Sequence, residues 1–70
     1  MIVFDKLWIT MKSKKISSYV LREKLFFDNR ILRRLRANKN TTTDTLNKLC
    51  KILDCRLEDI AEYVPDEEDL

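Results

Sequence analysis

The sequence contains no glycine and no histidine, and only one proline among its 70 residues. Without glycine there is no glycine-rich loop to cradle phosphates, which excludes enzymes built on such a loop. Without histidine, neither a mixed cysteine–histidine zinc site nor histidine-based acid–base catalysis is available. The scarcity of glycine and proline instead favours helices joined by very short connections.

Cysteine and long apolar runs are also scarce. The two cysteines, Cys50 and Cys55, lie in a segment of helical apolar periodicity, and we expect both to be small core residues in a reducing compartment. No apolar run approaches the roughly 18 to 20 residues of a membrane span, and the N-terminal charges follow the apolar stretch, unlike those of a secretory signal. We therefore expect a cytoplasmic protein that is not an enzyme, does not contact a membrane and binds no metal or cofactor.

What the sequence does contain is 44% hydrophobic and 37% charged residues, enough for one small domain with a simple core. The charge is unevenly distributed. Between positions 12 and 39 there are ten basic and two acidic residues, whereas positions 54 to 70 hold eight acidic residues and one basic residue. This separation indicates one half that faces a polyanion and another half turned away from it.

Apolar periodicity predicts an all-α fold of five helices. The first helix runs to about residue 14, with Phe4, Leu7, Trp8 and Met11 as its apolar stripe. Ser17 or Ser18 caps a second helix that runs to about residue 24 and buries Leu21 and Leu25. Asp28 caps a third helix over residues 29–37, and Asn38 follows it in the left-handed conformation.

The second half of the chain predicts two further helices. The threonine run 41–43 caps a fourth helix, whose apolar stripe is Leu46, Leu49, Cys50 and Leu53. A fifth helix over residues 57–64 has the stripe Leu57, Ile60, Ala61 and Val64, and Pro65 ends it. Residues 1–65 then form one domain and residues 66–70 an acidic tail. Trp8, Tyr19 and one of Phe26 and Phe27 are expected in or beside the core.

The third helix carries the clearest functional signal. Ile31, Leu32 and Leu35 share one side of it, while Arg30, Arg33 and Arg34 gather on the opposite side. No arginine of this helix has an acidic residue three or four positions away, and each like-charge pair at that spacing costs about 0.2–0.5 kcal/mol in an isolated helix. Although a basic face can simply be solvated, this pattern predicts binding of duplex nucleic acid, whose phosphates and guanine edges arginine grips bidentately.

The order of these segments resembles the Cro/cI-type (XRE) helix-turn-helix family over roughly residues 4 to 64. The stretch "TDTLNKLCKILDC" followed by "LEDIAEYV" is similar to small bacterial and phage members. The resemblance implies a five-helix, lambda-repressor-like bundle. It also implies a sequence-specific double-stranded DNA-binding transcriptional regulator, expected to be a repressor, which reads the major groove with helix three as a homodimer on a palindromic operator.

Carried over by position, the resemblance also implies the site residues. The base-reading positions fall on Asn29, Arg30, Arg33 and Arg34. The positions expected to hold the DNA backbone are Ser18, Arg36, Asn38, Lys39, Asn40 and Thr41. The predicted dimer contact lies on the fifth helix and comprises Ile60, Tyr63 and Val64.

Two positions depart from the family pattern. Arg22 stands where the family has a small residue in the middle of its second helix, and Phe26 stands where it has a turn glycine that adopts positive φ. An alternative function therefore stays open. In it the chain is a helix-turn-helix-fold protein-interaction module, such as an antirepressor or an accessory phage protein, without specific DNA binding.

Overall fold

A computed structural model describes residues 1–23 and 27–66 of the chain. Their secondary structure runs in the order β1 (Ile2–Val3), α1 (Asp5–Ser13), α2 (Ser18–Glu23), α3 (Asn29–Arg36), α4 (Thr43–Leu53), a 3₁₀ turn (Leu57–Asp59) and β2 (Glu62–Tyr63). The two strands pair antiparallel, which joins the two ends of the described chain. No helix in these ranges is long and apolar enough to cross a bilayer.

The helices enclose one hydrophobic core, and they do so with the stripes that the sequence predicts. Its buried members are Phe4, Leu7, Met11, Leu21, Phe27, Leu32, Leu35, Leu49, Leu53 and Ile60. Full burial of a side chain of this size contributes about 1.5–3 kcal/mol. Because α3 supplies only Leu32 and Leu35 to this core, its remaining side chains face outward or lie at the core edge.

The predicted helix caps are confirmed. The Asp28 carboxylate accepts from the Arg30 N–H at 2.7 Å, and the Thr42 hydroxyl accepts from the Thr45 N–H at 3.1 Å. Of the two serines before α2, Ser17 is the one whose hydroxyl accepts a backbone bond, from the Val20 N–H at 3.2 Å. Each cap satisfies one N–H that has no partner within its helix.

The predicted fifth helix is wrong, and the fold is therefore not all-α. Ile60 leaves helical geometry with φ −126° after a single 3₁₀ turn, and the chain continues as β2. Of the predicted stripe, only Ile60 is fully buried, whereas Leu57 and Val64 are exposed. The reason is a tertiary contact: residues 62–63 pair with residues 2–3, about sixty positions away in the sequence. A local periodicity carries no information about a partner at that distance.

Other sequence expectations have mixed outcomes. Trp8 lies partly buried against the core, but Tyr19 is exposed, so the core position predicted for Tyr19 is wrong. Phe27 is the buried phenylalanine. Cys50 and Cys55 are free, half-buried thiols packed against the core. Phe26, Leu25, the predicted end of the second helix and residues 67–70 of the tail lie outside the described residues.

Candidate nucleic-acid interface

The exposed face of α3 is basic, as the sequence predicts. Asn29, Arg30, Arg33, Arg34 and Arg36 are all exposed, while Leu32 and Leu35 on the opposite side are buried and Ile31 is partly buried. The Asp28 cap fixes the start of the helix, and core packing of the two leucines fixes its rotation about its axis. The arginine side is therefore held outward by the same contacts that stabilise the fold.

No acidic side chain among residues 1–23 and 27–66 forms an ion pair with this face. Within residues 1–23 and 27–66, the ion pairs of arginine are Arg22 with Glu23 at 3.6 Å and Arg56 with Glu58 at 3.0 Å, and neither involves α3. Asp28, which directly precedes the helix, accepts the backbone N–H of Arg30. Arg30 and Arg33 thus present charged donors to solvent. The Arg22 pair also shows that this departure from the family pattern lies at the surface, whereas Leu21 is the side chain that α2 buries.

Arg34 differs from Arg30 and Arg33 because it contacts the chain itself. Its Nε and Nη2 both donate to the backbone carbonyl of Asn40, at 3.2 and 3.1 Å. A guanidinium has five N–H donors in a rigid plane, so one edge of Arg34 holds the loop while the Nη1 side retains donors for another acceptor. The contact orients the guanidinium and ties the loop after α3 to the arginine face.

Arg36 connects three helices. Its Nη2 donates to the Ser18 hydroxyl at 2.6 Å, and its guanidinium carbon lies 4.3 Å from the centroid of the Trp8 ring. This stacking on the electron-rich face of an indole contributes about 0.5–1 kcal/mol at an exposed site. Arg36 and Ser18, predicted as separate backbone contacts, therefore form one cluster, in which Arg36 keeps donors on its other nitrogens.

The loop after α3 is held by the geometry of its first residue. Asn38 has φ 54°, as predicted, and its N–H donates to Leu35 while the N–H of Lys39 donates to Arg34, at 3.1 and 2.9 Å. These paired bonds are the Schellman ending of a helix. The Asn38 Oδ1 also accepts from the Phe4 N–H at 2.8 Å. Lys39 and Asn40 are exposed, and Thr41 is half-buried.

The structure separates the three predicted dimer residues. Ile60 is fully buried in the core of its own chain and is not available to a partner, whereas Tyr63 and Val64 are exposed. The loss of the fifth helix explains this division, because Tyr63 now lies on β2 and Val64 directly after it.

The two cysteines are free thiols and do not belong to a metal-binding cluster in the described part of the chain. Burial, followed by the neighbouring Cys50, raises the pKa of the Cys55 thiol, so its nucleophilic thiolate is scarce at neutral pH. Among the described residues, no group of three or more side chains of the metal-binding types comes together.

Two contacts have no signal in the sequence. The spacing of Trp8 predicts a core position only and does not indicate that its ring stacks with Arg36, which lies 28 positions away. The hydrogen bond between Phe4 and Asn38 likewise joins residues 34 positions apart. Both depend on how α1 packs against α3, which no local pattern encodes.

Comparisons with known proteins agree with this geometry. The sequence matches the family described as Cro/C1-type HTH DNA-binding domain over residues 6–66. The fold is similar to a crystal structure of the transcriptional regulator VanUg, with a TM-score of 0.82 and 26% sequence identity. That match covers 93% of this chain and 87% of the other. No curated protein matches the sequence.

Proposed function

Because the chain belongs to the Cro/C1-type helix-turn-helix DNA-binding family, we propose that it is a sequence-specific transcriptional regulator of duplex DNA. In this proposal α3 enters the major groove and the protein acts as a repressor on a palindromic operator. The observation that carries the proposal is the exposed face of α3, whose Arg30 and Arg33 have no acidic partner among the described residues. The neighbouring arginines of this helix repel one another, and the phosphates of a bound polyanion would neutralise their charge.

The proposed base-reading residues are Asn29, Arg30, Arg33 and Arg34. Arginine pairs bidentately with O6 and N7 of guanine, and asparagine pairs with N6 and N7 of adenine. Arg34 would donate to a base edge from the nitrogens that its contact with Asn40 leaves available. Because the guanidinium is already oriented, it loses less side-chain entropy on binding than a fully mobile arginine would.

The proposed backbone contacts come from two places. Ser18 and Arg36 lie together beside the start of α2, and Asn38, Lys39, Asn40 and Thr41 form the loop that follows α3. Contacts to phosphate fix the register of the protein on the duplex without reading sequence. Support for this assignment comes from the bonds that tie both groups to α3, through Arg36 in one case and Arg34 in the other.

Selection of bound sequences from a random duplex pool tests the proposal. We expect enrichment of a palindromic consensus whose half-sites contain guanines contacted by the arginines of α3. The control is the same selection with a variant that carries both Arg30→Ala and Arg33→Ala. We expect this variant not to enrich the consensus. Failure of the unaltered protein to enrich any sequence would contradict the proposal.

The second candidate function is a protein-interaction module on the same fold. The observation that favours it is the set of apolar side chains exposed near β1 and β2, among them Leu57 and Tyr63. A mobility-shift assay on mixed-sequence duplex DNA distinguishes the two functions. A regulator binds this DNA with an affinity that depends on salt, whereas a module that binds only protein does not bind it.

A further inference from the structure

The β ribbon, formed by β1 and β2, has backbone groups that point away from it. In an antiparallel pair, residues that exchange hydrogen bonds alternate with residues whose N–H and carbonyl groups face outward. The N–H of Val64 donates to the carbonyl of Met1 at 2.8 Å, which makes these two residues a bonded pair. Ile2 and Tyr63 are the next pair in the register, so their backbone groups face outward. Tyr63 therefore presents one donor and one acceptor on the outer edge of β2.

The two outer edges of the ribbon differ. On the side of β1, Phe4 lies two residues after Ile2, and its outward N–H donates to the Asn38 side chain at 2.8 Å. Ile2 also lines a depression together with the loop residues 38–41. On the side of β2, the backbone of Tyr63 forms no hydrogen bond within residues 1–23 and 27–66. An open strand edge is a template for another extended chain.

A shallow depression at Tyr63 combines apolar and acidic side chains. It has a volume of about 320 Å³ and is lined by Ile2, Leu57, Glu58, Ala61, Glu62 and Tyr63. Ile2, Leu57 and Tyr63 are 48%, 53% and 65% exposed, and neighbouring exposed apolar side chains are typical of interaction surfaces. We call the outer edge of β2 and this depression the edge site.

The charge of the edge site is suited to a basic partner. Glu58 pairs with Arg56 at 3.0 Å and Glu62 pairs with Lys6 at 3.8 Å, but neither cation lines the depression. Exposed pairs contribute only about 0–1 kcal/mol, and a carboxylate accepts more hydrogen bonds than one pair uses. Residues 54–66 hold five acidic residues and one basic residue, so acidic charge remains in excess in this segment.

We propose that the edge site binds an extended segment of another protein, in which basic and apolar residues alternate. Successive side chains of a strand point to opposite faces, so Glu62 and Tyr63 lie on opposite faces of β2. A strand added to this edge places its basic residues beside Glu62 and its apolar residues beside Tyr63. The paired segment is short, because the N–H of Ala61 already donates to Leu57 at 3.0 Å and Pro65 has no N–H.

Other occupants fit the edge site less well. A second copy of the chain paired through the same edge brings the Glu62 carboxylates of the two copies together, and like charges on neighbouring strands are destabilising. Duplex DNA is disfavoured because acidic side chains repel its phosphates. The proposal therefore concerns a different protein, and it holds whether or not the chain binds DNA.

Three blocked hexapeptides are the probes. The first alternates lysine with valine, the second has serine in place of valine, and the third has glutamate in place of lysine. Fluorescence anisotropy of the labelled lysine–valine peptide, measured with the whole chain and without DNA, should show saturable binding that weakens with salt. We expect the other two peptides to bind about tenfold more weakly, because each lacks either the apolar or the charged contact.

Substitutions in the chain locate the binding. Glu58→Gln and Glu62→Gln should each raise the dissociation constant of the lysine–valine peptide about two- to fivefold at low salt. Asp44→Asn is the matched control and should leave this constant unchanged, because Asp44 is an exposed acidic residue of α4 that does not line the depression. Circular dichroism checks that the three variants melt as the unaltered protein does.

Amide hydrogen exchange tests the backbone contact. In the free chain the Tyr63 amide should exchange faster than the Glu62 amide, which is bonded to Val3 in the ladder. The lysine–valine peptide should slow exchange at Tyr63. Binding without this protection would overturn the inference. Equal binding of the lysine–serine peptide, or equal weakening by Asp44→Asn, would overturn it as well.

DNA binding separates this inference from the proposed function. Glu62→Gln should bind duplex DNA as the unaltered protein does, because Glu62 lies outside the proposed DNA interface. A chain that binds the lysine–valine peptide but no DNA contradicts the proposed function and leaves the edge site in place. A chain that binds DNA but not this peptide contradicts the edge site alone.

Discussion

Four arginines of α3 have the same side chain but three different environments. Arg30 and Arg33 have no acidic partner among the described residues, Arg34 holds the carbonyl of Asn40, and Arg36 stacks on Trp8. The differences follow from where each position faces as the helix turns by 100° per residue. Substitution of each arginine should therefore have a distinct consequence.

The first prediction separates base reading from backbone contact. Arg30→Ala should cost about 1–3 kcal/mol on the preferred site and relax base preference at one position. Lys39→Ala should weaken binding to all sequences by a similar factor, because a phosphate contact carries no base identity. Binding to a panel of single-base variants of the selected site measures both effects. A change in sequence preference with Lys39→Ala but none with Arg30→Ala would contradict the assignment.

The second prediction concerns Arg36. Arg36→Ala removes the stacking on Trp8 and the bond to Ser18, so we expect the free energy of unfolding to fall by about 0.5–1 kcal/mol in urea. Trp8 is the only tryptophan, and its fluorescence should change as well. Arg33 contacts neither Trp8 nor Ser18, and Arg33→Ala removes like-charge neighbours on the same helix, so it should not lower the free energy of unfolding and should leave the fluorescence unchanged. Equal effects of the two substitutions would show that the cluster does not stabilise the fold.

At the scale of elements, the helices follow local rules and the segment 57–64 does not. Asp28, Thr42 and Asn38 have the structural roles that their side chains predict, because capping and left-handed geometry involve residues at most a few positions apart. The segment 57–64 has an equally good helical pattern, yet it forms a 3₁₀ turn and a strand. Its partner, β1, lies at the other end of the sequence.

The third prediction distinguishes the two roles of Asn38. Asn38→Gly keeps the left-handed backbone but loses the acceptor for the Phe4 N–H, whereas Asn38→Val loses both. Non-glycine residues pay roughly 1–2 kcal/mol for this conformation, and a β-branched residue is poorly suited to it. We therefore expect Asn38→Val to lower the free energy of unfolding more than Asn38→Gly does. Chemical denaturation measures this order, and equal losses would assign the whole role to the side chain.

At the scale of the whole molecule, charge segregation makes binding depend on salt. The fourth prediction is a linear fall of the logarithm of the DNA association constant with the logarithm of salt concentration. About four phosphate contacts per subunit would give a slope near −3.6, because each contact releases condensed counterions. Lys39→Ala should make the slope less steep by roughly one unit. A slope near zero would remove the nucleic-acid function.

Within the described residues, local patterns in the sequence were sufficient for the four α-helices, the N-terminal caps of α2, α3 and α4, most of the core stripes and the basic face of α3. Each depends on residues within one or two helical turns, where spacing and side-chain type determine which face is apolar. The family resemblance added the expected roles of the loop residues 38–41, which no periodicity distinguishes from an ordinary polar connection.

Only the tertiary structure decided how distant segments meet. The β ribbon, the buried position of Ile60, the stacking of Arg36 on Trp8 and the bond between Phe4 and Asn38 all join residues at least 28 positions apart, or depend on a contact that does. The free energy of such contacts depends on how whole elements pack against each other. The periodicity of the sequence gives no information about that packing. The sequence therefore determined which helix carries the arginines, and the fold determined which of them contact other parts of the chain.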